Sequence, residues 1–214
     1  TAYLKANYPT EFMAALMTSE QGNTDKLGGF YQELVRLGIQ LNPPDINSSI
    51  GEFLVEKNGD RVGPDEIRYS LAAIRNVGEN AVSAVVKERG RGGAYRDLFD
   101  FAMRMDVAHT NKRQFLSLAK AGTFDSLHSN RAQVAEATEL LMRHTTLAEN
   151  ERSNNQENLF GESSTDSNVS SLPVVEDWST IEQLRHEADA LGFYLSAHPL
   201  DTYDESMANL GVVR

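Results

Sequence analysis

Apolar residues first fall into helical spacing at Phe12, Met13, Leu16 and Met17, just after Tyr8-Pro9-Thr10, where proline and threonine suit a helix start. A second helix is expected after Asn23-Thr24-Asp25, with Leu27, Phe30, Tyr31, Leu34 and Val35 on its buried face and Gly38 as a left-handed stop. The periodicity then changes. Ile39-Gln40-Leu41 reads as a short strand, and Asn42-Pro43-Pro44-Asp45 cannot be helical, because proline lacks an amide donor and restricts the residue before it. Residues 52–56 read as a strand, Asn58-Gly59 as a turn and residues 67–70 as the returning strand. Residues 23–70 therefore form a small α+β unit behind a helical stretch over 1–22.

From Leu71 onward the pattern is almost wholly helical. An apolar helix ends near Ile74. Ala81, Val82, Val85 and Val86 mark the next, closed by Gly90-Arg91-Gly92-Gly93. Leu98, Phe99, Phe101, Ala102 and Met105 mark another, and residues 111–121 a further one, with Phe115, Leu118 and Ala119 inward and Gly122 as its stop. A helix over about 131–145, within a 129–148 segment, carries Val134, Ala137, Leu140 and Leu141. Residues 149–177 then read as a disordered linker. Between 150 and 171 only Leu159, Phe160 and Val169 are large and apolar, too few to offset the entropy of ordering the segment. Order resumes in 178–214, where Ser179-Thr180-Ile181-Glu182 has capping-box spacing before Leu184, Ala188, Leu191 and a stop at Gly192. The expected class is mainly α with a small α+β segment, and no solenoid repeat is present.

Composition narrows this picture. There is no cysteine, so disulfides and thiolate metal sites are excluded; no apolar run is long enough to span a membrane and no signal-peptide pattern opens the chain. A cytoplasmic location is expected, and the ends read as cut from a longer protein. The net charge of −11 argues against nucleic acid until it is divided. Residues 1–65 hold 5 Lys+Arg against 9 Asp+Glu, residues 66–131 hold 11 against 7, and residues 132–214 hold 4 against 15. Only the middle third is a basic island able to meet a phosphate backbone, and a solvated helical surface with a mild surplus of arginine fits the same counts. The acidic remainder should weaken such binding, so removing residues after Arg131 is expected to strengthen it.

Within the island, Arg75-Asn76-Val77-Gly78-Glu79-Asn80 joins one apolar segment to the next. The order of a left-handed-tolerant residue, an apolar residue and a glycine suits a helix-hairpin-helix turn. Such a turn offers main-chain amides and the next helix's free N-terminal amides to a phosphate. Gly78 would allow close backbone approach and Val77 would plug the gap between helices. Asn76 stands where glycine is usual, and asparagine tolerates left-handed backbone. An ordinary structural corner fits the same pattern. A second corner at residues 106–113 lacks glycine, but Asn111, Lys112 and Arg113 open the next helix. Cations there oppose the helix dipole, which phosphate contact or chance would explain. Together the two corners predict a tandem helix-hairpin-helix module over 71–128 that grips duplex DNA without reading its sequence.

Longer stretches carry a family likeness. Residues 1–16, Leu37-Gly38-Ile39 with Pro43-Pro44-Asp45-Ile46-Asn47, Asn111-Lys112-Arg113 with residues 120–127, and residues 191–201 together resemble the alpha subunits of bacterial DNA polymerase III, the replicative C-family polymerases. The resemblance is ordered and covers essentially the whole chain. It implies that 1–22 end the fingers region, that 71–128 bind duplex behind the active site, and that the last residues lead into an oligonucleotide-binding domain. The family's template-directed synthesis uses magnesium held by palm aspartates. This chain has no Asp-x-Asp pair and its histidines are scattered at 109, 128, 144, 186 and 198, so no catalytic residue, metal ligand or cofactor is assigned to it.

The resemblance also implies a sliding-clamp peptide at Gln156-Glu157-Asn158-Leu159-Phe160. Leu159 and Phe160 are isolated apolar anchors for a groove, and Gln156 can donate and accept at its rim. So short a peptide binds near micromolar, about 8 kcal/mol, and gains from tethering. Expected partners are thus duplex DNA, the clamp, and other domains and subunits of the polymerase III holoenzyme, with no membrane. Two alternatives stay open: a helical module that packs only on neighbouring polymerase domains, and the same region of an error-prone relative.

Overall fold

The computed structural model describes residues 2–57, 59, 63–154, 171–197 and 199–200. Short α1 (Ala2–Asn7) is followed by α2 (Pro9–Ser19), which starts on its proline and buries Met13, Ala14 and Met17. In α3 (Thr24–Leu37) the Asn23 side chain accepts the Lys26 amide, and Gly38 ends the helix at φ 69°. Leu27 and Leu34 are fully buried and Phe30 and Tyr31 flank them, but Val35 is 58% exposed, against expectation. At about 100° per residue it falls beyond the edge of the stripe defined by Leu27 and Leu34.

Strands β1 (Leu41–Asn42), β2 (Leu54–Glu56) and β3 (Glu66–Arg68) form one sheet in the order β1-β3-β2. Ile67 of β3 lies opposite Leu41 in parallel register and opposite Val55 in antiparallel register. The hairpin strands are shorter than the sequence suggests: the Phe53 amide donates to the Thr18 hydroxyl at 3.1 Å instead of across the hairpin, while the Tyr69 amide still donates to the Asn42 carbonyl of β1, and the two rings pack edge to face, 4.9 Å between centroids. Of the expected turn, Gly59 has φ 60°, while Asn58 lies outside the described residues. On the sheet's open face Arg68 donates two 2.9 Å hydrogen bonds to Glu56, and Asn42 donates a third. Partial burial pushes the Glu56 carboxyl up, but these donors outweigh it and hold it below the usual carboxylate range.

The expected apolar helix before Ile74 is only a 3₁₀ turn, Leu71–Ala73, with the Ser70 hydroxyl accepting the Ala72 amide. No longer helix fits between β3 and the left-handed Asn76. Then follow α4 (Glu79–Gly92), α5 (Leu98–Arg104), α6 (Lys112–Lys120), α7 (Arg131–Glu136), α8 (Thr138–Asn154) and α9 (Thr180–Leu191). The single helix expected over 131–145 is thus two, parted at Ala137, where the Thr138 hydroxyl donates back to the Ala135 carbonyl. Helix α8 also runs on to Asn154, into the stretch expected to be disordered. At the other end of that stretch, Leu172 packs on the core, and the Pro173 and Val175 carbonyls and the Asp177 carboxylate accept from Gln133, Asn130 and the Ala132 amide. Residues 155–170 lie outside the described residues. The capping box at Ser179 and Glu182 and the stop at Gly192 are present, though Ile181 is 38% exposed.

One core joins these elements. Phe115 stacks on Phe124 at 4.9 Å, and Phe101 meets both rings at 5.9 and 5.1 Å. Fully buried Leu141 on α8 and Leu191 on α9 belong to the same core.

Candidate nucleic-acid interface

Asn76 is the one non-glycine residue with positive φ among those described, at 65°. Its side-chain amide donates to the Ser117 hydroxyl on α6 at 3.1 Å, which fixes the turn against the second helix pair. Val77 is buried, as a plug should be, and lines a small cavity of about 20 Å³ with Ile46, Val82, Phe101 and Leu118. Two amides of the turn face inward: Arg75 donates to the Ala190 carbonyl at 2.9 Å, and Val77 to that of Ile74 at 3.1 Å. Gly78 then serves as N-cap of α4 and has no side chain with which to bond the helix's first amides. Among the described residues the amides of Gly78, Glu79 and Asn80 have no hydrogen-bond acceptor. The three residues are exposed. Such a helix start presents N–H groups and a positive dipole end.

The second corner is built otherwise. The Asp106 carboxylate accepts the Ala108 amide at 2.7 Å and its carbonyl accepts the His109 amide, so the turn caps itself. Asn111 accepts the Gln114 amide and Gln114 accepts the Asn111 amide, a reciprocal capping box that uses the groups Asn111 would offer a ligand. Lys112 is paired with Glu139 of α8, whose carboxyl this bond holds below its ordinary value. Arg113 is exposed and unpaired among the described residues.

The two corners meet. Gly78, Glu79, Asn80 and Ala81 form one wall of a cleft of about 480 Å³, and residues 107–111 with Gln114 form the other. Reasoning from sequence missed Gln114 as a member of this site, for which the Asn111-x-x-Gln114 spacing was the available signal; His109 and Thr110 lie within the second corner it marked but were not singled out. The expected Arg75 is present at the first corner but turned away, its guanidinium donating to the Thr24 hydroxyl and the Asp189 carbonyl. The cleft wall itself carries one acid, Glu79, and no lysine or arginine.

The basic island proves less available than its charge implies. Of its eleven cations, only Lys87, Arg113 and Lys120 lack a hydrogen-bond or ion-pair partner among the described residues. Arg89 donates to the Ile46 and Ser49 carbonyls. Arg104 lies 4.4 Å from the Tyr95 ring centroid and bonds Glu88 and Asp100, while burial pushes the Tyr95 hydroxyl up to about 12. Arg131 pairs with Asp125 and with Glu187. The residues after Arg131 are likewise no detachable acidic tail, since Val134, Leu141, Ala190 and Leu191 complete the core. Truncation there would unfold what it was meant to improve. The peptide residues Gln156, Leu159 and Phe160 lie outside the described residues.

Helix pairs joined by tight turns, packed through a shared core and opening a helix start to solvent, define a helix-hairpin-helix protein. Residues 38–134 match a family model described as a helix-hairpin-helix motif, which takes in the small sheet as well as the helices. Over nearly its whole length the chain is also homologous to DNA polymerase III subunit alpha. It is 44% identical to that of Caulobacter vibrioides over 201 residues, 94% of this chain. It is 37% identical to that of Pasteurella multocida and 38% identical to that of Campylobacter jejuni, each over 216 residues and all of this chain. The chain belongs to this family as a segment, spanning 17% or 18% of the length of these curated relatives.

Proposed function

We propose that this chain holds double-stranded DNA for a replicative polymerase, through phosphate contacts and without sequence preference. The observation that carries the reading is the run of open amides at Gly78, Glu79 and Asn80, facing a cleft shared with the second corner. A phosphate oxygen accepts main-chain N–H groups at a helix start without regard to base identity. Arg113 adds an unpaired cation nearby. Among the described residues no three carboxylate or imidazole groups converge to hold a metal ion. The role proposed for this chain is binding. No described helix is long and apolar enough to cross a membrane; a cytoplasmic place of work belongs to the same proposal.

Fluorescence anisotropy of a labelled duplex tests this. Binding is expected at about 50 mM salt, with affinity falling steeply toward about 200 mM and little difference between unrelated sequences. No binding at low salt overturns it. That result would favour the second reading, a module that packs only on other polymerase domains, which draws its support from the internal pairing of most of the island's cations.

The proposal extends to the sliding clamp through Gln156, Leu159 and Phe160, two apolar anchors and an amide in a polar stretch. Phe160→Ala is expected to abolish clamp binding in calorimetry while leaving the thermal melt unchanged. Equal clamp affinity in parent and variant would remove this part.

A further inference from the structure

Helix α8 lies along the second corner, and its polar contacts there are specific. The Glu149 carboxylate accepts the Val107 main-chain amide at 3.0 Å. Ten residues earlier, about 15 Å along the helix, the Glu139 carboxylate takes the Lys112 ammonium. Arg152 donates to the Met103 and Met105 carbonyls at the end of α5, and buried Leu141 and Thr145 with the Phe99–His144 ring contact at 5.1 Å fix the helix in place. A carboxylate on a hairpin amide and another on a helix-start lysine satisfy the groups a DNA phosphate would use. Both come from one element, and the first corner has no such cover.

We propose that α8 is an acidic strap, with Glu149 and Glu139 occupying the phosphate-binding groups of the second corner until duplex DNA displaces them. This rests on the duplex-binding reading and adds to it a built-in competitor. Charge complementarity sets the exchange: two carboxylates leave an amide and an ammonium, and two phosphates take their place. The strap lowers affinity for any isolated duplex. It favours duplex held there by other contacts, because a tethered phosphate competes at high effective concentration.

The whole 214-residue chain is titrated with labelled duplex at about 50 mM salt, where phosphate contacts are strongest. The double variant Glu139→Ala/Glu149→Ala is expected to bind about fivefold to tenfold more tightly than the parent. A control pair, Glu136→Ala/Glu151→Ala, removes the same charge at exposed positions with no partner among the described residues, and is expected to change affinity less than about twofold. In Glu149→Ala, hydrogen exchange at the Val107 amide is expected to accelerate and to slow again when duplex is added.

Equal tightening by both pairs would assign the effect to net charge and overturn the strap. Binding by the parent with no change in the strap pair would overturn the strap alone, leaving the duplex reading intact. No binding by any form would overturn both. Should the alanine pair lose its thermal transition, Glu139→Gln/Glu149→Gln keeps side-chain bulk and an acceptor oxygen. It is expected to tighten binding about twofold to threefold, and a folded glutamine pair with parental affinity would count against the strap equally.

Discussion

The two corners of this module solve one problem with opposite means. At the first, a left-handed asparagine and a glycine N-cap leave the start of α4 open, and the nearby arginine is engaged at the surface by Thr24 and Asp189. At the second, an aspartate and a capping box close the turn on itself, Glu149 covers a remaining amide, and the lysine has a carboxylate partner. One corner offers backbone without charge; the other keeps its charge and backbone engaged. Basic residues therefore do not mark the more open of the two hairpins. What distinguishes the corners is which main-chain groups the fold leaves unsatisfied.

The comparison can be broken at the point the corners share. Phe101 touches both, through the cavity it lines with Val77 and His109 and through the stacked rings of Phe115 and Phe124. Phe101→Ala is expected to cost about 3–5 kcal/mol in urea unfolding, with duplex binding lost as the corners separate. A cost below about 1 kcal/mol would show that the corners are independent.

A smaller effect isolates the first turn. Asn76→Ala should cost about 1–2 kcal/mol, since alanine pays for φ 65° and the bond to Ser117 goes with it. Asn76→Gly relaxes the backbone but also loses that bond, and should fall within about 1 kcal/mol of the parent. If the two variants melt alike, left-handed strain is not what asparagine manages here.

The smallest effect is the most specific. Gly78 has ordinary extended backbone, φ −84° and ψ 152°, and an added Cβ would meet nothing nearer than Gln114 Nε2 at 3.9 Å. Gly78→Ala should therefore leave stability within about 0.5 kcal/mol. A methyl over the open amides should nonetheless weaken duplex binding about fivefold, roughly 1 kcal/mol. Unchanged affinity in a folded variant would move the contact surface away from the first corner.

Much of this was readable before any coordinates. Helix stops at Gly38, Gly93 and Gly192, the capping box at Ser179 and the left-handed turn at Asn76 are local effects, and local chemistry decides them. Net charge misled because it counts side chains without their partners. Arg89 and Arg104 look like surface cations in the sequence, yet they close carbonyls and carboxylates from elements 40 and 16 residues away. Glu149 was placed in a linker by composition, although tertiary packing of Leu141 and Thr145 carries the helix past it. Pairings across such separations leave no local pattern to read.

The contact between Arg75 and α9 has a mechanical side. The 76–78 turn is joined to the last turn of α9 by a main-chain bond of 2.9 Å and by a guanidinium that spans Asp189 and Thr24. Gly192 follows two residues later, where any side chain would collide with Thr24 at 2.4 Å. The polypeptide leaving that glycine is in turn held by the Glu187 carboxylate, which accepts the Leu195 and Ser196 amides, so the hairpin, α9 and the segment beyond it are clamped together as one piece.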